Sequence, residues 1–492
     1  IFGTDPTIKL RDSSGDAYAL IEGDSADEGS IRFRADPLGA GANTKLRFDI
    51  DGTERLRITG AGITVTGEVA ASQNYPNYRP TLDFNFVAEK KLDPRITYFR
   101  SGPASFVNEF GKVVLVGANA PRFDHDPITR ECKGLLIEET RTNLHPYSQD
   151  LSNWVVESGG SVTANTHTSP AGDQTADSLH GTQSGSSGYR TFSLVNGTAY
   201  TFTVFMKYVS GEAVIDIQIG DAPFTRSNTK FNTSTGALVS NTGGTATVND
   251  VVFYGNGWYR YSITRTPTSN GSGFMDINHT SSTASTVAVW GAQVEAGTFA
   301  TSYIPVHDDT SETRGYEAVT LEGTDFSNIF GTEFKEFSLV ADYNNTQTND
   351  GTNYGIIDLW GEATGYDDRI EWFKDNATPF HIETRAFGQG DPIFANGELS
   401  ASSKAKSQRF ATSWSVPDYS NTSSRRFVVS MGGEAVDVVN DSSGTTVPQI
   451  TRMGIGCNPT RLDFKPGLLH FKRLMVYNKT LSDGQLQNLS AQ

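Results

Sequence analysis

Residues 466–490 read PGLLHFKRLMVYNKTLSDGQLQNLS. Positions 468–477 alternate between core-facing and outward-facing side chains, as one strand of a half-buried sheet does. Ser482 then stands where an N-cap belongs, ahead of a short helix over 483–489 whose Leu486 and Leu489 share a face. Working back from this ending, strand-like runs recur at 333–343, 354–360, 369–374, 380–385, 408–414, 427–431 and 453–456. Further upstream, the strongest runs are 189–194, 199–208, 214–219 and 258–264. They are separated by the turn signals Asn196-Gly197, Ser210-Gly211, Thr235-Gly236 and Asn256-Gly257, at the spacing of a sandwich. In the run from Tyr200 to Met206, Thr and Phe share the alternating positions with Val and Met, so both faces are expected to be partly buried. Trp258 and Trp290 sit inside strand patterns and are expected in the core. The chain reads as all-β.

Composition narrows the function. The 492 residues carry 40 basic and 56 acidic side chains, a formal charge of −16, which argues against broad electrostatic attraction to nucleic acid or anionic lipid. The length suits roughly three or four domains. A hydrophobic fraction of 36% is low, but 11% aromatics excludes a disordered polar tract. No apolar run approaches the roughly 18–20 residues that span a bilayer, so neither a nucleic-acid partner nor membrane insertion is expected. Cys132 and Cys457 offer no metal-ligand spacing and no disulfide framework. The sequence opens on Ile1 rather than Met, which is expected of a fragment or processed chain.

Residues 1–75 alternate cleanly: Ile31, Phe33 and Ala35 against Arg32 and Arg34, then Leu46, Phe48 and Ile50 against Arg47 and Asp49. Asp51-Gly52 suits a tight hairpin. So thin a row of apolar residues cannot bury much surface alone, and neither metal ligands nor disulfides supply a staple. Equivalent strands from neighbouring copies are therefore expected to complete the core, making this stretch an oligomerising β arm and the protein a homotrimer. The alternative is a small sheet docked on the following domain.

Between 76 and 144 a small connecting β domain is expected. Asp124-His125-Asp126 precedes a proline and reads as a turn in which Asp caps backbone N–H groups, rather than as a metal cluster. Glu138 and Glu139 are adjacent on a strand and point to opposite faces, so they cannot act together as an acid/base pair. Asp308-Asp309 offers oxygens of the kind Ca²⁺ takes, but no EF-hand-like spacing surrounds it. Solvated linker acids are the reading preferred, and no cofactor is expected.

Three resemblances add to this reading. The stretch from PRITYFRSGPASFVNEFGKVVLVGANAPRFDHDP to GLLIEETRTNL, and the string VAVWGAQVEAGTFATSYIPV at 287–306, resemble modules of tailed-phage fibres and spikes. Residues 145–308, through GNGWYRYSITRTP, resemble carbohydrate-binding-module jelly rolls. The ending at 466–490, with Arg409–Trp414 as a Trp-bearing strand, resembles concanavalin A-like, laminin-G-like lectin jelly rolls, placed at 316–492. The resemblance implies an external virion fibre that meets other virion proteins at its N-terminal end and a host surface polysaccharide at its distal end. Sugars stack their CH faces on aromatic rings and need paired hydrogen bonds for their hydroxyls, which makes Trp154 and Tyr189, near strand edges, candidate contacts. His381, Glu383 and Arg385 fall on one side of a strand and form the constellation nearest to a catalytic one. Their alternation is also that of an ordinary solvated face. No E-x-D-x-E strand of the glucanase type occurs. The expectation is a glycan-binding adhesin rather than an enzyme, with a purely architectural fibre and a polysaccharide-degrading fibre as the alternatives.

Overall fold

The computed structural model describes residues 7–11, 18–24, 30–35, 45–50, 53–59, 62–65, 79–221, 225–243, 246–332, 334–345, 353–361, 369–374, 381–387, 393–398, 407–416, 425–441, 449–456 and 467–491. The chain divides into two units, Ile1–Tyr78 and Arg79–Gln492.

The first unit holds two antiparallel three-stranded meanders. In one, Thr7–Arg11, Tyr18–Asp24 and Ser30–Ala35 align Ile8 with Ile21 and Ile21 with Phe33. In the other, Leu46–Ile50, Thr53–Thr59 and Gly62–Val65 align Leu46 with Ile58 and Ile63, and Phe48 with Leu56 and Val65. Ile50 stands opposite Thr53, the register of a two-residue connection; Asp51 and Gly52 themselves lie outside the described residues. Period-two alternation gathers the apolar residues on one face, and the charges pair among themselves, Arg47 with Glu54 at 2.7 Å. That apolar face stays open: Phe33 is 53%, Phe48 46% and Ile58 38% exposed.

In the second unit, the terminal sandwich packs an eight-stranded sheet on a seven-stranded one. The larger sheet runs Phe123–His125, Cys132–Glu138, Leu468–Tyr477, Glu336–Asn345, Ser407–Ser415, Arg425–Met431, Asp437–Asp441, and Leu82–Asn85 also pairs the Leu468–Tyr477 strand. The smaller runs Ile393–Glu398, His381–Phe387, Arg369–Lys374, Tyr354–Trp360, Arg452–Ile455, Ala318–Glu322, Thr97–Phe99. Phe337, Leu339, Ala341 and Tyr343 turn inward from one strand, and Phe337 meets the edge of Trp372 at 6.2 Å. Each such buried side chain contributes about 1.5–3 kcal/mol over leaving it exposed. The opposite face of the same strand presents Val340 to Leu486 and Leu489 of the terminal helix Asp483–Ser490. That helix begins as its sequence requires: Ser482 accepts from the Gln485 N–H, and the Gln485 side chain accepts from the Ser482 N–H at 2.8 Å.

The stretch expected to form a small connecting domain does not close on itself. Leu135 pairs with Phe471 and Ile137 with Leu469, Leu82–Asn85 pairs further along the same edge of that last strand, and Thr97–Phe99 pairs with Ala318–Glu322. These strands complete the terminal sandwich, and Leu82, Phe84, Leu135 and Ile137 join its core. The terminal sandwich is therefore built from both sides of a second sandwich inserted in the chain. The insertion begins and ends on a two-stranded ribbon, Arg141–Asn143 against Glu312–Arg314.

The inserted sandwich packs a six-stranded sheet on a seven-stranded one around Phe202, Val204, Met206, Ile215, Ile217, Ile219, Tyr261 and Ile277. Tyr200–Ser210 is buried on both faces as its composition suggests. Phe202, Val204 and Met206 enter the core, while Phe205 packs outward against Trp290 and Tyr303. Trp258 and Trp290 are core residues, their indole N–H groups donating to the Thr168 carbonyl and to Thr175 Oγ1, each at 3.0 Å.

Where the two sandwiches meet, five fully buried charges interlock, among them Arg100, which donates to Glu317 at 3.4 Å. Arg122 Nε donates to Glu317 at 2.9 Å, and its guanidinium pairs with Glu138 at 2.7 Å. Arg314 pairs with Glu138 at 3.1 Å, and the Ser302 N–H closes the Glu138 carboxylate at 2.7 Å. Burial pushes the Glu138 carboxyl up, but Arg314, Arg122 and the Ser302 hydrogen bonds outweigh it and hold the group at about 2. Its stabilisation is full above the unfolded carboxylate range and is lost as pH falls toward the folded value. Removing one partner strands a buried charge. Arg122→Met is expected to lower the unfolding free energy by about 3–5 kcal/mol at neutral pH, read by chemical denaturation. The loss should narrow as pH falls below about 4.

Candidate functional site

The seven-stranded sheet of the inserted sandwich runs Val155–Glu157, Ser187–Leu194, Gly271–His279, Val214–Asp221, Asn228–Asn232, Leu238–Thr242, with Thr225–Arg226 added beside Val214–Asp221. Its inner face is fixed by Ile215, Ile217, Ile219, Phe231, Met275 and Ile277, all in the core. Alternation therefore turns Asp216, Gln218, Asn228, Lys230, Phe274, Asp276, Asn278, Ser187 and Tyr189 outward. Register sets them in two rows. Tyr189 stands opposite Asp276 and Asp276 opposite Gln218; Ser187 stands opposite Asn278, Asn278 opposite Asp216, and Asp216 opposite Lys230.

These side chains form a hydrogen-bonded bed rather than a fringe of solvated groups. Gln218 Nε2 donates to Asp216 Oδ2 at 2.8 Å and to Asn228 Oδ1 at 3.0 Å, and Asn278 Nδ2 donates to Asp276 Oδ2 at 2.7 Å. Arg226 lies over the Phe274 ring, 5.9 Å from its centroid. Asp216 and Asp276 are only 5% and 7% exposed although they face outward. One oxygen of each, Oδ1, is buried and makes no well-formed hydrogen bond among the described residues. Burial pushes the Asp276 carboxyl up to about 6, against hydrogen bonds from Asn278 and Ser187 and the charge of Arg226. Burial raises Asp216 as well, against the hydrogen bond from Gln218. Unfilled acceptors beside the half-buried rings of Tyr189 and Phe274 suit a ligand with hydroxyl donors and CH faces.

Of the residues singled out from sequence, Tyr189 belongs to this bed. Trp154 does not: it follows the turn Leu151–Asn153 and tucks beneath the sheet at 5% exposure, its ring tilted against that of His145 with centroids 4.7 Å apart and its N–H donating to the Tyr147 carbonyl. A ring with no free face cannot carry a sugar, so that assignment is withdrawn. His381, Glu383 and Arg385 lie on the strand His381–Phe387, and their side chains fall outside the described ones. Glu138 and Glu139 point apart as expected, Glu138 into the buried junction and Glu139 to Arg141 at 2.6 Å.

The Asp124-His125-Asp126 reading holds for Asp126, which accepts from the Ile128 and Thr129 N–H groups. For the other two the turn is corrected, although Asp124 does accept a backbone N–H, that of Val107 at 2.8 Å. Both lie on the strand Phe123–His125, where Asp124 accepts from His470 at 2.8 Å and His125 bonds the Val107 carbonyl. Asp308 caps the Thr310 N–H in a turn. Among the described residues, no group of three or more His, Cys, Asp or Glu is placed to hold a metal ion. Asp216, Gln218, Asp276 and Asn278 were not singled out from sequence. The signal for the first pair was the alternation Ile215-Asp216-Ile217-Gln218-Ile219, legible as a strand but not as a site.

No family model and no curated protein matches the chain. Among solved structures it is similar to the CBM40 of the Ruminococcus gnavus IT-sialidase bound to alpha2,3 sialyllactose, at 14% identity over 32% of this chain and 83% of that one, with a TM-score of 0.25. It is also similar to a botulinum neurotoxin type C structure described for its interaction with two ganglioside molecules, at 10% identity over 35% of this chain and 39% of that one, with a TM-score of 0.27. Likeness of this extent assigns neither family nor ligand.

A carboxylate held high by burial costs stability at neutral pH. The cost is full above about 6 and disappears below the unfolded carboxylate range. Asp276→Asn is therefore expected to raise the unfolding free energy at pH 7 by about 1–3 kcal/mol, with the gain shrinking to nothing near about pH 4. Denaturation curves across that range check it; a gain that ignores pH would show that Asp276 is not held uncomfortably ionised.

Proposed function

We propose that this chain is a glycan-binding adhesin of a phage virion, contacting a host surface polysaccharide through the outward bed around Asp216, Gln218, Asp276 and Tyr189. The observation that carries the binding reading is the pair of buried, unpartnered carboxylate oxygens on an outward face, which a donor-rich ligand would fill once the overlying side chains shift. The virion assignment rests on the resemblance of the segments at 95–144 and 287–306 to phage fibres and spikes. Those same segments supply Arg122, Glu138 and Ser302 to the junction of the two sandwiches.

In this reading the N-terminal unit joins copies into a homotrimer by closing its open apolar faces, and virion proteins hold that end. Three linked sites raise the effective concentration for the second and third contacts, so weak single-site affinity suffices. A hydrolytic reading would use the same two aspartates. Retaining hydrolysis, however, needs one carboxylate held ionised beside one held protonated, and burial pushes both of these upward. The chain is thus proposed to bind without cleaving.

Purified protein is expected to scatter light as a trimer, to bind a subset of polysaccharides on a glycan array, and to release no reducing sugar from them. Asp276→Ala and Gln218→Ala should each weaken array binding at least tenfold with folding preserved. Unchanged binding in both variants would remove the bed from the account, and a monomer in solution would remove the arm. Saturating soluble protein should also block adsorption of the phage to its host.

A further inference from the structure

On the other side of the inserted sandwich, a half-open cavity of about 170 Å³ lies in the seam with the terminal sandwich. Its wall is drawn from both: Phe205, Tyr254 and Arg260 from one, Asp124, Lys133 and His470 from the other. The hydrogen-bond accounting here is the reverse of that on the polar bed. Every carboxylate lining the cavity is already engaged. Asp124 accepts from the Val107 N–H and from His470 Nε2, each at 2.8 Å, with Lys133 at 3.6 Å. Glu138 is closed by Arg122, Arg314 and Ser302.

The donors are what remain unspent. Arg260 gives hydrogen bonds to Thr203 Oγ1 at 3.0 Å and to the Thr301 carbonyl at 2.9 Å, while its Nε has no acceptor. No carboxylate among the described residues pairs with its charge. Lys133 keeps its ammonium at the rim, 34% exposed, with only the long contact to Asp124. The Arg260 side chain is part-buried, with its guanidinium at the cavity wall, so an anion entering the cavity would meet a positive charge that no carboxylate there neutralises. The Phe205 ring, 5.5 Å from the Arg260 carbon, holds the group in place from below.

We propose that the seam cavity is a second ligand site, distinct from the polar bed, and that it takes a small carboxylate-bearing sugar of the uronate class. The carboxylate would pair with Arg260 and Lys133, and the ring would lie against the aromatic side chains of the wall. A chain displaying both sites would grip an acidic polysaccharide at two chemically different units, hydroxyl donors on the bed and an acid in the seam.

Isothermal titration of the full chain with sodium glucuronate, against glucose at matched ionic strength, tests this. Saturable binding of glucuronate and none of glucose is the expected result. Arg260→Gln and Lys133→Gln should each weaken glucuronate binding at least tenfold, with unchanged melting curves. Lys133 is at the rim, so its variant decides the matter if Arg260→Gln fails to fold. Absence of saturable glucuronate binding, equal binding of glucose, or full affinity in folded Lys133→Gln would each overturn the assignment. Loss of glucuronate binding in Asp276→Ala would overturn it too, by placing the acid on the bed; the bed itself stands or falls on the array result.

Discussion

Five charges with no access to water, Arg100, Arg122, Glu138, Arg314 and Glu317, set the terms for the second unit. Charges in that position are tolerable only when each meets its opposite at close range and the remaining lone pairs are filled. The partners come from segments flanking the insertion and from its own end, where Ser302 completes Glu138. Neighbouring amides are spent in the same way: Asn143 donates to the Ala292 and Ile304 carbonyls and accepts from the His145 and Val294 N–H groups. So many matched requirements admit few angles between the sandwiches. The seam is consequently a fixed wall against which a cavity can keep its shape.

This explains why the most idiosyncratic strings of the sequence are also the least variable in what they can do. GLLIEETRTNL gathers two acids, an arginine and an amide, and GTFATSYIPV a row of hydroxyls. Their polar atoms are consumed in holding the insertion to its host. Polar density in a sequence marks either a site or a buried joint, and the two differ only in whether any donor or acceptor is left over.

What could be read in advance follows the range of the interactions involved. Strands were legible because alternation is local. The last strand and its capped helix fall where 466–490 places them, and Trp258 and Trp290 are buried as their strand positions imply. The insertion was not legible, since pairing Leu135 with Phe471 depends on which edges are free after the intervening residues have folded. Trp154 misled for a related reason. Its neighbours look like a loop, but a single 3₁₀ turn swings the ring beneath the strand at Gly188. Asp216 and Gln218 were visible as the polar half of an alternating strand. Only their burial separates them from ordinary solvated residues, and burial is a property of the neighbouring strands.

The inserted sandwich thus carries opposite chemistry on its two outer faces. One sheet leaves acceptors unfilled at Asp216 and Asp276; the other leaves a donor unfilled at Arg260, which lines the seam cavity together with Lys133. A module that only spaced other parts would gain by replacing each of these groups with an apolar side chain of similar size, since a buried polar atom without a partner costs about 1–3 kcal/mol. Such groups stand on both outer faces, acceptors on one and a donor on the other, and the polarity of each face states what a ligand there would have to bring.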